Sequence, residues 1–118
     1  MRILHLTLKK KWFDLIAVGD KTEEYREVKN YWWTRLVLCG QFFNSDDFLL
    51  PVSEWKMLMS KTYDVVQFKN GYGKNAPTMT IEFDSIEIGT GKTEWGAEEG
   101  KEYFVIKLGK LLSTNKTV

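Results

Sequence analysis

Three charged residues within one short stretch of the chain have the types and spacing to bind a ligand or act in catalysis: Lys21, Glu24 and Arg26. Gly19, which can adopt backbone angles closed to other residues, precedes them. In a strand, Glu24 and Arg26 would share a face, roughly 6–7 Å apart. Arginine offers a planar fork of donors to a phosphate or base edge, and lysine a point charge whose pKa falls on desolvation. The stretch therefore has the composition of a polar ligand site.

The strand that would carry these residues lacks an apolar face. Alternation divides its side chains into two sets, Thr22, Glu24, Arg26 and Val28 against Glu23, Tyr25 and Glu27. Because a half-buried strand normally has one hydrophobic side, we expect this strand at a sheet edge or against a polar cavity. Two interpretations stay open: the charges face a ligand, or they are solvated and discourage edge-to-edge aggregation.

The order Gly19, Lys21, Glu24, Arg26 resembles the G-x-K-x-x-E-x-R signature of the ASCH family, a branch of the PUA-like β-barrels. Its position after an N-terminal strand and helix also agrees with that family. Residues 68–74, 94–98 and 103–109 are similar to small ASCH proteins of phages and bacteria. The resemblance covers residues 1–36 and 63–112. It implies an α+β fold, a small mixed β-barrel with two or three peripheral helices.

The resemblance further implies a binding cleft for RNA or for a nucleotide or modified-nucleoside ligand. Lys21 and Arg26 would hold a phosphate or base edge, and Glu24 would accept hydrogen bonds from exocyclic amines. Stacking would come from Tyr72, Trp33 or Trp95. The implied ligand-binding residues are Gly19, Lys21, Glu24, Arg26, Asn70, Tyr72, Lys74 and Trp95.

Two other functions compete with simple binding. Some bacterial ASCH proteins are amidohydrolases that deacetylate acetylated cytidine, using the signature lysine and a threonine three residues later. Lys21 matches, but Glu24 occupies the threonine position, so a catalytic pair would need Glu24 as a base for water. Other members are reported as ribonucleases, and Lys, Glu, Arg and Tyr side chains could stabilise a phosphorane and transfer protons. Alternatively, Glu24 and Arg26 form an ion pair that organises the barrel opening, and the protein acts through partners.

Several other chemistries are excluded by composition and spacing. His5 and Cys39 are the only histidine and cysteine, too few for a typical zinc site or a catalytic triad. A G-K-T sequence ends at Thr93, but Ile86 stands where a phosphate-binding loop needs its first glycine. Glu82 is the remaining carboxylate candidate. We therefore expect neither a metal nor a cofactor.

Length and charge narrow the setting. The 118 residues suit one domain, and 43% hydrophobic residues favour a folded globule. A net charge of +1, from 17 basic and 16 acidic residues, favours local contact with nucleic acid over a broad basic surface. A single cysteine, no apolar run of membrane-spanning length and no signal-peptide pattern predict a soluble, cytoplasmic protein without a membrane partner.

Periodicity predicts the elements that would position these residues. We expect one domain over residues 1–112, with an insertion at 37–62 and a C-terminal tail at 113–118. A strand at 3–8 and a helix at 9–18, ended by Gly19, would precede the signature. The remaining predicted elements are a short helix or turn at 29–36, strands at 37–43, 63–68, 79–88 and 103–108, and a helix at 52–60.

Overall fold

The computed structural model describes residues 1–36 and 63–115. The predicted strand at 37–43, the helix at 52–60 and the insertion at 37–62 lie outside these residues, as do residues 116–118 of the tail. The described elements are, in chain order, β1 (Ile3–Leu8), α1 (Lys10–Ala17), β2 (Glu23–Glu27), α2 (Asn30–Leu36), β3 (Val65–Asn70), β4 (Thr78–Thr90) and β5 (Glu102–Asn115). A 3-10 turn, Thr93–Trp95, lies between β4 and β5.

The strands form one mixed sheet in the order β1-β3-β4-β5-β2. β1 pairs with β3 in parallel, so that Leu8 lies opposite Asn70. β3 pairs with β4 antiparallel, with Val65 opposite Glu82. The predicted α+β class and mixed sheet are therefore confirmed. β2 is last in the strand order, which agrees with the edge position expected from its charged faces.

The described chain divides into two compact units. The first comprises Met1–Glu23, Tyr63–Asp84 and residues 107–115, and the second comprises residues 24–36 and Ser85–Ile106. β4 and β5 have residues in both units. None of the helices within residues 1–36 and 63–115 is long and apolar enough to span a membrane.

The core of the first unit follows from strand alternation and helix periodicity. Every second residue of β1 is buried, and Phe13 and Ile16, three apart in α1, form the buried face of the helix. Gly19 ends the helix with φ +85°, as the sequence predicted. The backbone N–H groups of Asp20 and Lys21 then donate to the carbonyl of Leu15. These hydrogen bonds hold the start of the signature, Gly19 to Lys21, against the last turn of α1.

The second unit has its own apolar cluster, which corrects one prediction about β2. Tyr25 is buried with Ala97, Tyr103 and Val105, so one face of β2 is anchored in a core despite its polar composition. The pattern missed this because tyrosine carries both an apolar ring and a polar hydroxyl. Here the hydroxyl accepts a hydrogen bond from the backbone N–H of Lys92 at 3.0 Å, which makes burial of the ring acceptable.

The last strand also differs from its prediction. β5 continues to Asn115, so residues 113–115, predicted as part of a tail, belong to a strand. The N–H of Leu108 donates to the carbonyl of Thr22 at 3.0 Å, and that of Lys110 donates to the Glu82 carboxylate at 3.3 Å. The contact with Glu82 lies beyond residue 108, where the apolar pattern of the strand ends, and no local pattern in the sequence identifies such a distant partner.

Candidate functional site

The signature residues Glu24 and Arg26 form an ion pair in the second unit. Arg26 Nη1 lies 2.5 Å from Glu24 Oε2, which shows that the two side chains share a face of β2. The same nitrogen donates to the carbonyl of Tyr25 at 2.8 Å. The Arg26 guanidinium also lies 5.2 Å from the centre of the Trp32 ring, within range of a cation–π interaction.

This pair is largely withdrawn from water. The Glu24 side chain is 7% exposed and that of Arg26 is 16% exposed. A buried carboxylate is costly unless a hydrogen-bonded cation accompanies it, and Arg26 supplies that cation. Contacts with Glu24, with the Tyr25 carbonyl and with Trp32 fix the guanidinium in one orientation. The arrangement is a rigid polar group, suited either to organising the strand or to presenting hydrogen-bonding atoms in a fixed geometry.

Lys21 is the most deeply buried charged residue among those the structure describes, with 1% of its surface exposed. Its Nζ donates a hydrogen bond to the carbonyl of Glu23. The same ammonium lies 5.7 Å from the centre of the Trp12 ring, and Lys11 Nζ lies 4.7 Å from that ring. Trp12 therefore contacts a buried and an exposed cation of the first unit.

Lys21 also lines a cavity of about 180 Å³ in the first unit. Gly19 and Thr22, on either side of Lys21 in the signature turn, contribute to the same wall. The apolar lining comes from the end of α1, from β4 and from β5: Ile16, Val18, Ile81, Leu108 and Leu111. A cavity of roughly 150 Å³ accommodates benzene, so this volume suits a single six-membered ring. The site thus combines apolar walls with a lysine.

The predicted ligand loop, residues 70–77, begins at the C-terminal end of β3. Asn70 ends β3, and Gly71 turns the chain with φ +83°. The Gly71 N–H donates to the carbonyl of Leu8 at 2.9 Å, which places the loop beside the start of α1. Tyr72 is 90% exposed and Lys74 is also exposed. The loop therefore presents an aromatic ring and a cation to solvent.

Trp95, another predicted ligand residue, lies in the second unit. It is half-buried and packs against the cluster that contains Tyr25 and Tyr103. Lys92 Nζ lies 4.4 Å from the centre of its ring. Trp95 thus has a packing role in the second unit, beside the stacking role that the resemblance implies. The side chain of Trp33, the other tryptophan considered for stacking, lies outside the described residues.

The segment with the G-K-T sequence has a structural role in the second unit. A Cβ atom built at Gly91 would lie 2.7 Å from both Ala97 Cβ and Tyr25 Cζ, so any side chain there would force these groups to shift. A 3-10 turn follows Lys92, where a phosphate-binding loop requires an α-helix. The segment closes over the Tyr25 ring.

The structure thus groups the predicted residues into separate sets. Glu24 and Arg26 form one set, Lys21 and Gly19 line a cavity, and Asn70, Tyr72 and Lys74 belong to a loop near the start of α1. The contacts of Lys21 with Trp12 and of Arg26 with Trp32 were not predicted. Lys21 and Trp12 are nine residues apart across a helix and a turn, so their contact depends on where Gly19 ends the helix.

Glu82, the remaining acidic candidate, lies in β4, and its carboxylate contacts β5. Glu82 Oε1 accepts the Lys110 N–H, a contact that supports β5. Among the residues described, no group of three or more His, Cys, Asp or Glu side chains could hold a metal ion.

No protein-family model, curated protein or solved structure matches this chain. The resemblance to the ASCH family accordingly rests on Gly19, Lys21, Glu24 and Arg26 and on the stretches 68–74, 94–98 and 103–109.

Proposed function

We propose that this protein is an ASCH domain of PUA-like architecture that binds RNA or a nucleotide or modified-nucleoside ligand through its signature residues. The observation that carries the proposal is the placement of Lys21, which is 1% exposed and lines a ring-sized cavity. Binding sites for small molecules typically combine apolar walls with a few placed polar groups, and this cavity has that composition.

A nucleobase satisfies the chemistry of this cavity better than a phosphate does. The flat faces of a base can contact the apolar walls, which include Ile81 and Leu108. Base edges carry carbonyl oxygens and ring nitrogens that accept hydrogen bonds, and in this proposal they compete with the Glu23 carbonyl for the Lys21 ammonium. A phosphate, in contrast, would leave its own hydration for a mostly apolar surface, which is unfavourable. The ligand portion expected here is therefore a base.

The Glu24 and Arg26 pair, considered by itself in the second unit, is also suited to ligand binding. In the binding role implied by the resemblance, Glu24 accepts from an exocyclic amine and Arg26 contacts a phosphate or base edge. Their hydrogen bond and the contact of Arg26 with Trp32 fix both groups before any ligand arrives. Such preorganisation lowers the entropic cost of binding.

The proposal is tested by calorimetric titration of the purified protein with cytidine, N-acetylated cytidine and adenosine. Lys21→Met keeps an unbranched apolar stem and removes the ammonium. We expect wild type to bind at least one of these nucleosides, and Lys21→Met to bind it about 10- to 100-fold more weakly, since charged hydrogen bonds contribute roughly 1.5–3 kcal/mol. Lys110→Met, an equal change at an exposed lysine of the first unit, is the matched control.

Three results separate the alternatives. Equal binding by wild type and Lys21→Met contradicts the role of Lys21, and absence of binding by every nucleoside contradicts the cavity as a base site. Chromatography of the same mixtures detects release of acetate from acetylated cytidine. Turnover there would convert the binding proposal into the hydrolase alternative.

A further inference from the structure

The parallel pairing of β1 with β3 brings together two segments that are far apart in the sequence. Leu8, the last residue of β1, lies opposite Asn70, and its carbonyl accepts the Gly71 N–H at 2.9 Å. The residues after Leu8 are three consecutive lysines, and those after Gly71 are Tyr72, Gly73 and Lys74. The end of β1, the start of α1 and loop 70–77 therefore form one continuous surface of the first unit.

This surface carries positive charge that few protein carboxylates offset. Lys9, Lys11 and Lys74 are exposed. Lys10 forms an ion pair of 2.6 Å with Asp14, whereas within residues 1–36 and 63–115 no ion pair involves the other three lysines. Cations at the start of a helix also oppose its macrodipole, and no acidic residue lies in the first turn of α1. A bound anion would relieve both effects.

Tyr72 indicates which polyanion fits. Its 90% exposure leaves the ring accessible on the same loop as Lys74. An exposed ring among lysines is the arrangement that binds single-stranded nucleic acid, because a base stacks on the ring while the cations contact phosphates. A membrane surface would require several apolar residues. Among the described residues of 8–11 and 70–77, Tyr72 is the one large apolar side chain that is exposed.

The basic surface is also connected to the buried end of the proposed site. Lys11 and Lys21 both place their ammonium groups near Trp12, at 4.7 and 5.7 Å from the ring centre. A nucleic-acid strand bound at Lys11 would therefore lie near the Trp12 ring, which Lys21 also contacts.

We propose that Lys9, Lys11, Tyr72 and Lys74 form a backbone-binding surface for single-stranded RNA. This inference rests on the proposed function and narrows it, because a free nucleoside would not use this surface. Duplex RNA is a poor fit, since Tyr72 needs an unstacked base. The residues named here act together: three cations contact successive phosphates, and the tyrosine ring holds one base between them.

The test is fluorescence anisotropy of labelled single-stranded RNA of mixed sequence, measured across a salt series. Three phosphate contacts predict a slope of log affinity against log salt of about −2, equivalent to roughly 15-fold weaker binding at 200 mM than at 50 mM salt. The variant Lys9→Gln/Lys11→Gln/Lys74→Gln should bring the slope near zero. Tyr72→Ala should weaken binding roughly tenfold, and Tyr72→Phe should retain it. Lys110→Gln, which changes an exposed lysine of β5, is the charge control.

Nucleoside titration of the same variants distinguishes failure of this inference from failure of the proposed function. If the variants still bind nucleosides and their RNA binding equals that of wild type, the proposed surface is wrong and the proposed function stands. RNA binding that needs Tyr72, without nucleoside binding by wild type, supports the surface and overturns the cavity. Binding to anionic phosphatidylserine vesicles but not to RNA overturns the choice of partner.

Discussion

The ion pair between Glu24 and Arg26 holds two opposite charges that the fold withdraws from water. Removing one partner leaves the other buried and uncompensated, which is more destabilising than the pair itself is stabilising. We expect Arg26→Leu to lower the free energy of unfolding by about 3–5 kcal/mol. We expect the double variant Glu24→Leu/Arg26→Leu to recover much of that loss, because apolar side chains need no partner. Urea unfolding measures both.

A matched control is available on the same strand. Glu27 and Lys101 form an ion pair of 3.7 Å in which both side chains are well exposed. Because water screens such a pair, Lys101→Leu should change stability by less than about 1 kcal/mol. A double variant no more stable than Arg26→Leu would show that Arg26 contributes by packing on Trp32 and not by compensating Glu24. Loss of ligand binding by an Arg26 variant must be compared with its free energy of unfolding, because a destabilised fold would also lose binding.

At the scale of elements, β2 depends on a close approach at Gly91. The Tyr25 ring occupies the space that a side chain at position 91 would need, with two ring carbons within 2.8 Å of a Cβ there. We expect Gly91→Ala to lower the free energy of unfolding by about 1–3 kcal/mol, since the ring must shift. Thermal and urea unfolding provide the measurement.

Gly89→Ala, at the end of β4 two residues earlier, tests whether this cost comes from the close approach or from replacing any nearby glycine. The nearest atom to a Cβ at Gly89 is 4.0 Å away, on Val105, which is ordinary contact. This variant should be neutral or stabilise by about 0.5 kcal/mol, because glycine is unfavourable inside a strand. Equal destabilisation by the two variants would contradict the steric explanation.

The elements also show which parts of the fold the sequence could predict. β1, α1 and the stop at Gly19 depend on local alternation, periodicity and a left-handed turn, and all three were predicted. The shared face of Glu24 and Arg26 also follows from local strand geometry. Burial of Tyr25 and the extension of β5 depend on distant partners, Lys92 and Glu82, which no local pattern identifies. The cavity beside Lys21 likewise requires three elements to meet.

For the whole molecule, the net charge of +1 conceals an uneven distribution. Basic residues cluster where β1 ends, although the totals of 17 and 16 almost balance. The near-zero net charge predicted only that any contact with nucleic acid is local. The pairing of Leu8 with Asn70 provides the location, which composition could not.

The division into two units raises the question of whether they unfold separately. β4 and β5 each contribute residues to both units, so disrupting either strand removes backbone hydrogen bonds from both. Strands that are continuous across a boundary favour one cooperative transition in a chain of this length. We therefore expect a destabilising change in the second unit to reach the core of the first.

Hydrogen exchange of Gly91→Ala tests this cooperativity. Gly91 belongs to the second unit, whereas Val66 and Phe68 are fully buried in β3 of the first. If unfolding is global, the amides of Val66 and Phe68 lose the same free energy of protection that urea unfolding assigns to the variant, because their exchange requires the same opening. Gly89→Ala should leave the protection of both amides unchanged or raise it by the same small amount by which the variant is stabilised. Unchanged protection of β3 in Gly91→Ala, beside faster exchange at Tyr103 and Val105, would instead establish two independently opening units.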